Sequence, residues 1–281
     1  MSSKIYFSEN DKRPMSFHVI RTISNILNKI MPNIAIRQAE KLLLIPAKSK
    51  KEVIIPSAMI IETIKGEEGD LQQYKLGDGP IVLLAHGWSG SASQFFGLME
   101  LIAQAGYQAI AFDHYGHGKS SGKVAHLPLF IRGINDLVSL HGQDNIHCVV
   151  SHSMGTVAAL NLPKNITQLL IAPVFGFYDS LRKSVFDSGM SPDLFERLLQ
   201  KIENDFDIKF IDAVSEQHIG LIERPVNIVH DINDKFASFV GSETMAKQHP
   251  NIVLHQTQGQ GHGRIINSDT TWQVLSSLLD A

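Results

Sequence analysis

From about residue 58 onwards, short apolar runs alternate with segments of helical pattern. Runs such as 81–85 and 226–229 are apolar with little alternation, as expected of strands buried on both faces. Strands that alternate with helices predict a mostly parallel sheet with helices on both sides. The predicted strands are 58–64, 71–75, 81–85, 108–112, 146–150, 167–171, 226–230 and 251–256. The predicted helices between later strands are 93–105, 126–140, 154–161 and 268–279.

Other segments differ from this alternation. The first two strands have only a short connection, so we expect an antiparallel pair at the edge of the sheet. Residues 1–57 are predicted as an N-terminal helical extension, and residues 58–281 as the main domain. Within that domain, residues 173–222 are predicted as a small helical cap insertion, in which Ser191-Pro192 marks a helix start. Such an insertion lies over the crevice at the carboxyl ends of a parallel sheet.

The N-terminal extension allows two interpretations. Apolar residues recur at helical spacing on both sides of Pro32, with Lys and Arg interspersed. One interpretation is a helix that lies on a membrane surface, so peripheral membrane contact stays open. The other, which we favour, is an amphipathic helix pair packed on the main domain. The following tract, 48–51, is predicted to be a solvated linker.

Composition excludes several classes of protein. The net charge is −3, which does not fit a generic nucleic-acid binder with a basic stripe. The single cysteine, Cys148, rules out an intrachain disulfide, and its apolar neighbours indicate a buried small side chain. No run approaches the roughly 20 apolar residues of a membrane-spanning helix, and the start lacks a signal-peptide pattern. A cytoplasmic location is therefore the expectation.

The segment that carries the strongest chemical signal is Ser151-His152-Ser153-Met154-Gly155, between an apolar strand and a predicted helix. A sharp strand–turn–helix exposes the middle residue, Ser153, above the sheet. The residues two before and two after must be small, because their backbones approach closely. The usual pattern is G-x-S-x-G, so Ser151 is a departure from it. On its own the string also fits an ordinary helix N-cap at Ser153.

Three further segments follow other predicted strands. His86-Gly87-Trp88 forms a turn that can direct backbone N–H groups at an oxyanion, the expected donors being the amides of Trp88 and Met154. Asp113 precedes Gly116-x-Gly118-x-Ser120 after a second strand. His262 lies in a glycine-rich loop after the last strand and ahead of the final helix.

In these four segments, and in their order along the chain, residues 58–281 resemble the α/β-hydrolase superfamily. The resemblance implies an α/β-hydrolase fold with about eight strands and a cap. It implies Ser153 as the nucleophile and His262 as the general base. Family members usually have H-G-x-x-D after the strand at 226–230, so aligning His230 favours Asp234 as the acid. Asp231 is the alternative acid, or else it holds the loop.

The expected function is hydrolysis of small-molecule carboxylic esters through an acyl-enzyme, without a metal or an organic cofactor. Ser153 argues against the haloalkane dehalogenases and epoxide hydrolases of the superfamily, which use Asp at that position. Lipase, thioesterase and acyltransferase variants stay open, as does a non-hydrolytic ligand-binding protein. His114 and His117 lack partners at metal-ligand spacing. The residues proposed to line an acyl pocket, with core packing as the alternative, are Phe175, Phe177 and Tyr178.

Overall fold

The computed structural model describes residues 14–47 and 53–280, so the tract 48–51 lies outside the described residues. The eight strands are β1 Ile60–Gly66, β2 Gly69–Leu76, β3 Ile81–Ala85, β4 Gln108–Phe112, β5 Ile146–His152, β6 Thr167–Ile171, β7 Val226–Asp231 and β8 Ile252–Thr257. They form one sheet in the order β1-β2-β4-β3-β5-β6-β7-β8. Each predicted strand is present, with ends that differ by two residues at most.

The sheet is mixed but mostly parallel. β2 pairs antiparallel with both β1 and β4, which confirms the predicted antiparallel edge. All the other neighbouring strands are parallel. The carboxyl ends of β3, β5, β7 and β8 therefore meet at one edge of the sheet, and each precedes a segment with a candidate functional residue.

Helices cover the sheet and continue into the cap. The α-helices are α1 Met15–Ile30, α2 Pro32–Leu43, α3 Phe96–Gln104, α4 Leu127–His141, α5 Met154–Leu160, α6 Phe177–Asp187, α7 Pro192–Phe206, α8 Phe210–Ala213, α9 Ser215–His218, α10 Phe239–Gln248, α11 Gly261–Arg264 and α12 Asp269–Leu279. The predicted helix 93–105 begins as a 3₁₀ turn, Ala92–Phe95, before α3. Helices α6 to α9 occupy the predicted cap insertion.

Two hydrophobic layers pack on opposite faces of the sheet, as the period of two along a strand requires. Leu83 and Val149 point into the layer with α4 and α5. Leu84 and Val150 point into the layer with α3 and α12. Cys148 is fully buried in the second layer, and burial raises the pKa of its thiol to about 12. The prediction of a buried small side chain is confirmed.

The cap joins the first layer through α7. An apolar stripe of this helix is buried, and its members are Leu194, Leu198, Leu199 and Ile202. They share a core cluster with Phe130 of α4 and Val157 of α5. The helix begins at Pro192 as predicted, but the side chain of Ser191 accepts no capping bond.

Both N-terminal helices pack on the cap. α2 buries the apolar residues Ala35 and Ala39, as expected of an amphipathic helix, but α1 has the opposite polarity. The buried residues of α1 are Phe17, Ser24 and Asn28, two of which are polar. The apolar side chains of α1 are mostly exposed, with Met15 81% and Ile30 68% accessible. None of the described helices combines the length and the apolar character needed to span a bilayer.

Candidate active site

Ser153 lies at the turn between β5 and α5, in a conformation that non-glycine residues rarely adopt. Its φ is +54° and its ψ is −125°. Such a conformation costs on the order of 1–3 kcal/mol and persists only where the surroundings impose it. The packing below the turn is tight, because a Cβ on Gly155 would lie 2.6 Å from the carbonyl oxygens of Ala85 and His86. The serine hydroxyl is therefore held above the sheet edge.

Three of the predicted site residues meet at this edge. The Oγ atom of Ser153 lies 2.9 Å from Nε2 of His262. The Nδ1 atom of His262 lies 2.7 Å from Oδ2 of Asp234. Since a carboxylate only accepts, Nδ1 carries the proton, and Nε2 is free to accept from the serine hydroxyl. His262 lies in the short helix α11 rather than in the open loop expected from the sequence.

The side chain of Asp234 has no solvent-exposed surface. Its Oδ1 accepts N–H groups from Phe236 at 2.7 Å and Ala237 at 3.1 Å. Its Oδ2 faces His262 and also Nε2 of His230, 3.4 Å away. Burial by itself raises the pKa of this carboxyl, but the hydrogen bonds from His230 and His262 outweigh burial and hold the pKa below its usual value. Asp234 is therefore a carboxylate at neutral pH.

Asp231, the alternative acid, is fully buried and holds the loop. Its Oδ1 accepts the N–H of Asn233 at 3.0 Å. Its Oδ2 accepts the hydroxyl of Thr257 at 3.0 Å and the N–H of Gln260 at 2.8 Å. Burial raises the pKa of Asp231, but these donors lower it by more. Asp231 thus ties the end of β7 to the segment that carries His262, without contacting the imidazole.

The two predicted oxyanion donors flank Ser153. Met154 is the first residue of α5, so its N–H has no acceptor within that helix. No acceptor for the Trp88 N–H occurs among the described residues. The turn that carries Trp88 lies against the serine, because a Cβ on Gly87 would be 2.6 Å from the Cβ of Ser153. His117 fixes the same turn by accepting the Ser89 N–H at Nε2, over 3.1 Å.

This close approach predicts that Gly87→Ala lowers kcat for ester hydrolysis by about 10²- to 10³-fold, the usual effect of losing one oxyanion donor. The added methyl group forces the turn away from Ser153 and takes the Trp88 N–H with it. Steady-state kinetics on a p-nitrophenyl ester measures the effect. Gly263→Ala is the matched control, since a Cβ there meets nothing within 4 Å. Equal activities of the two variants would contradict this role for the turn.

Several contacts around the site were not predicted from the sequence. His152 has its Nε2 2.8 Å from the carbonyl oxygen of His262, and donates its ring N–H there. The ring of Phe236 stacks on that of His262 at 5.2 Å. Asp113 accepts the N–H groups of Ala92 and Lys119, and so holds the loop after β4. Of these residues, His152 and Asp113 could be identified as site candidates from the sequence, because they stand at the ends of predicted strands. Nothing in the sequence points to Phe236.

Several buried histidines lie near the oxyanion turn, and another, His126, precedes the first residue of α4. The ring of His114 stacks on Phe130 with centroids 4.1 Å apart, and His86 packs edge-on against His114. Burial lowers the pKa of His86 and of His126 to about 4, and that of His152 to about 3. Burial also holds the pKa of His114 well below its ordinary value. These imidazoles are therefore neutral in the folded protein.

The free energy of unfolding is expected to fall as the pH is lowered from about 6.5 to about 4. In that window the unfolded chain protonates these imidazoles and the folded chain does not, so each contributes a loss of about 1.4 kcal/mol per pH unit. Urea denaturation across the window measures the slope. His126→Asn keeps a capping acceptor for the Leu129 N–H and removes one titrating group, so its slope should be about 1.4 kcal/mol per pH unit shallower. An unchanged slope would contradict the lowered pKa of His126 in the folded protein.

The three aromatic residues predicted to line an acyl pocket do not pack together. Phe177 and Tyr178 pack against the core cluster that contains the cap helix α7. Phe175 packs against a separate cluster that contains Met245 of α10. Their role in binding an acyl group stays a prediction. No set of three metal-ligating side chains that could hold an ion is found within residues 14–47 and 53–280.

The sheet order, the strained serine turn after β5 and the cap between β6 and β7 form a recognisable arrangement. A family model described as "alpha/beta hydrolase fold" matches residues 80–175, from β3 to just beyond β6. This chain has the α/β-hydrolase fold. The matched part of this α/β-hydrolase-fold protein includes the oxyanion turn and Ser153, and ends before Asp234 and His262.

The proteins similar to this α/β-hydrolase-fold chain are named for different activities. A monoacylglycerol lipase of Mycolicibacterium smegmatis is 35% identical over 81 residues, which are 27% of this chain and 29% of the lipase. An epoxide hydrolase of Caballeronia sordidicola is 32% identical over 149 residues, which are 49% of this chain and 44% of that enzyme. The chain thus spans less than half the length of either relative.

A solved esterase of Pyrococcus furiosus has a TM-score of 0.62, with 18% identity. The superposition covers 84% of this chain and 98% of the esterase. At this identity the likeness shows the α/β-hydrolase fold alone.

Proposed function

We propose that this protein is a serine hydrolase that cleaves carboxylic esters through an acyl-enzyme. The observation that supports the proposal best is the continuous chain of contacts from Ser153 through His262 to Asp234, at 2.9 Å and 2.7 Å. A serine hydroxyl is a poor nucleophile at neutral pH, and an imidazole within hydrogen-bond distance can remove its proton. The buried carboxylate keeps that imidazole in the required tautomer.

In the first half of the reaction, Oγ of Ser153 attacks the ester carbonyl carbon while its proton passes to Nε2 of His262. The carbonyl oxygen becomes an oxyanion between the N–H groups of Trp88 and Met154. The tetrahedral intermediate then collapses, and its C–O bond to the alcohol breaks. His262 returns the proton to the leaving alcohol, and the acyl group stays on Ser153.

In the second half, a water molecule takes the place of the alcohol. His262 removes a proton from this water as it attacks the acyl carbon. Collapse of the second intermediate breaks the bond to Oγ, and Ser153 regains its proton from His262. The products are a carboxylic acid and an alcohol, and all the proton transfers use one imidazole.

Ester substrates fit this site better than epoxides do. One curated relative is a monoacylglycerol lipase, and a structural neighbour is an esterase. Another relative is an epoxide hydrolase. In the α/β-hydrolase superfamily, which this chain resembles, epoxide hydrolases as a class use Asp at the position of Ser153, whereas a serine hydroxyl forms an ester with an acyl group. The substrate we propose is therefore a carboxylic ester.

The test combines covalent labelling with turnover. Incubation with a fluorophosphonate should give one adduct in the intact mass, and p-nitrophenyl esters from acetate to palmitate should be hydrolysed. The chain-length profile then reports how much acyl chain the cap accommodates. A protein that gives neither adduct nor turnover would contradict the proposal and favour a non-hydrolytic ligand-binding role on the same fold.

A further inference from the structure

The N-terminal helices present an apolar surface that no described part of the protein covers. The stripe along α1 consists of exposed side chains spaced three or four residues apart, namely Met15, Val19, Ile23, Ile26 and Ile30. It continues through Met31 and Ile34 into α2, where Leu42 is also exposed. Of the 23 large hydrophobic side chains exposed among the described residues, 13 belong to residues 15–55. A contiguous exposed patch of this kind marks an interaction surface.

The orientation of α1 is fixed by polar contacts on its other side. The guanidinium of Arg21 donates to the carbonyl oxygens of Gly189 and Phe186, at the end of α6. The Oγ atom of Ser24 accepts the N–H of Ser191 at 2.9 Å. A helix that only packed on the cap would bury its apolar stripe and expose its polar residues. Here the polar side is bound to the cap, and the apolar stripe is held facing outwards.

The charge of this region is opposite to that of the rest of the chain. Residues 1–57 contain ten lysines and arginines against four acidic residues, whereas residues 58–281 contain 15 against 24. The one acidic residue of α1 and α2, Glu40, is paired with Lys201 of α7 at 3.4 Å. The exposed cations Lys29, Arg37 and Lys41 form no ion pair among the described residues.

From these observations we propose that α1 and α2 form a docking surface for the headgroup layer of an anionic phospholipid bilayer. An amphipathic helix with an apolar stripe and flanking cations lies flat in such a layer, with its stripe in the acyl boundary. A second copy of this chain is a poorer occupant. Two such faces brought together would put the cations Lys29, Arg37 and Lys41 of both copies into one interface, where like charges repel.

The docking surface is connected to the candidate active site. After α2 the chain runs to the oxyanion turn, where the Ala47 N–H donates to Oγ of Ser89 at 3.0 Å. Trp88, beside this contact, is partly exposed. The segment that leaves the docking surface therefore contacts the turn that carries the expected oxyanion donor. Binding itself requires no catalysis, so the proposal does not rest on the proposed esterase function.

Flotation of the full chain with vesicles tests the proposal. Vesicles of phosphatidylcholine mixed with phosphatidylglycerol should carry the protein, and vesicles of phosphatidylcholine alone should carry far less. The triple variant Ile23→Gln/Ile26→Gln/Ile30→Gln should bind the anionic vesicles about 100-fold more weakly, because three partly exposed side chains no longer enter the acyl boundary. Lys29→Gln/Arg37→Gln/Lys41→Gln should weaken binding by a similar factor.

The matched control places the same residue type at exposed polar positions of the same helix, outside both the apolar stripe and the side bound to the cap. His18→Gln/Thr22→Gln/Asn25→Gln should bind vesicles as the unchanged protein does, and all three variants should keep their far-UV circular dichroism. Failure of the unchanged protein to float, or equal flotation of the isoleucine variant, would overturn the proposal. A dimer in sedimentation velocity that the isoleucine variant dissociates, without vesicle binding, would identify a second copy as the occupant instead. Because no substrate is present, the result is independent of whether Ser153 is a nucleophile.

Discussion

Replacing Ser153 with alanine is expected to lower kcat for p-nitrophenyl ester hydrolysis by about 10⁵- to 10⁶-fold. The substitution removes the only atom that can form the acyl-enzyme, while the oxyanion donors and the imidazole stay in position. It should also abolish the fluorophosphonate adduct in the intact mass. Steady-state kinetics and mass measurement on the same preparation test both expectations.

Ser151→Ala is the matched control for this prediction. Ser151 lies two residues earlier, at the end of β5, and its buried Oγ has no hydrogen-bond partner among the described residues. Removing that hydroxyl leaves no partner unsatisfied, so activity and labelling should be close to those of the unchanged protein. If Ser153→Ala retained a few per cent of the turnover, another residue would have to be the nucleophile.

Replacing Asp234 with asparagine is expected to lower kcat by about 10⁴-fold, with little change in KM. Oδ1 of Asp234 accepts two backbone N–H groups, from Phe236 and Ala237, so an asparagine would keep its carbonyl oxygen there. Its NH₂ group would then face Nδ1 of His262. The imidazole would have to accept at Nδ1 and carry its proton on Nε2, where it can no longer remove the proton of Ser153.

The contrast with Asp231→Asn makes this prediction specific. Asp231 anchors the loop through Thr257 and Gln260 and does not contact His262, so its asparagine variant should lose stability rather than the chemical step. We expect its kcat to fall by about 10-fold or less when the protein is kept folded. Urea denaturation alongside the kinetics separates the two effects. A larger loss of kcat in Asp231→Asn than in Asp234→Asn would assign the acid to the other carboxylate.

Most of the fold could be predicted because strands buried on both faces leave a plain apolar pattern. β3, β4 and β6 have the ends predicted from the sequence, since each contains at least three consecutive apolar residues that end directly before a turn segment. The meeting of the site residues was also predictable, because parallel strands bring their carboxyl ends to one edge of the sheet. The local environment of Asp234 was not. Its contact with His230 depends on side-chain directions that a linear pattern does not carry.

For the N-terminal helix α1, the periodicity of apolar residues predicts the helix but not the direction in which its apolar face points. The spacing of isoleucines in α1 identifies an apolar face, and a helix of a soluble protein usually buries that face. The sequence contains no local signal that Ser24 and Arg21 bind the end of the cap and turn the helix round. Which way an amphipathic helix faces is decided by its partner, which lies about 165 positions further along the chain.

His262 follows the last strand, and it is separated from Ser153 by 109 positions. During translation the serine therefore leaves the ribosome roughly 5–20 s before the imidazole on which its reactivity depends. Through that interval Ser153 is an ordinary alcohol. A nascent or truncated chain without His262 can fold much of its sheet and still attack no ester, so the chemistry we propose begins only after the segment that carries His262 has been synthesised.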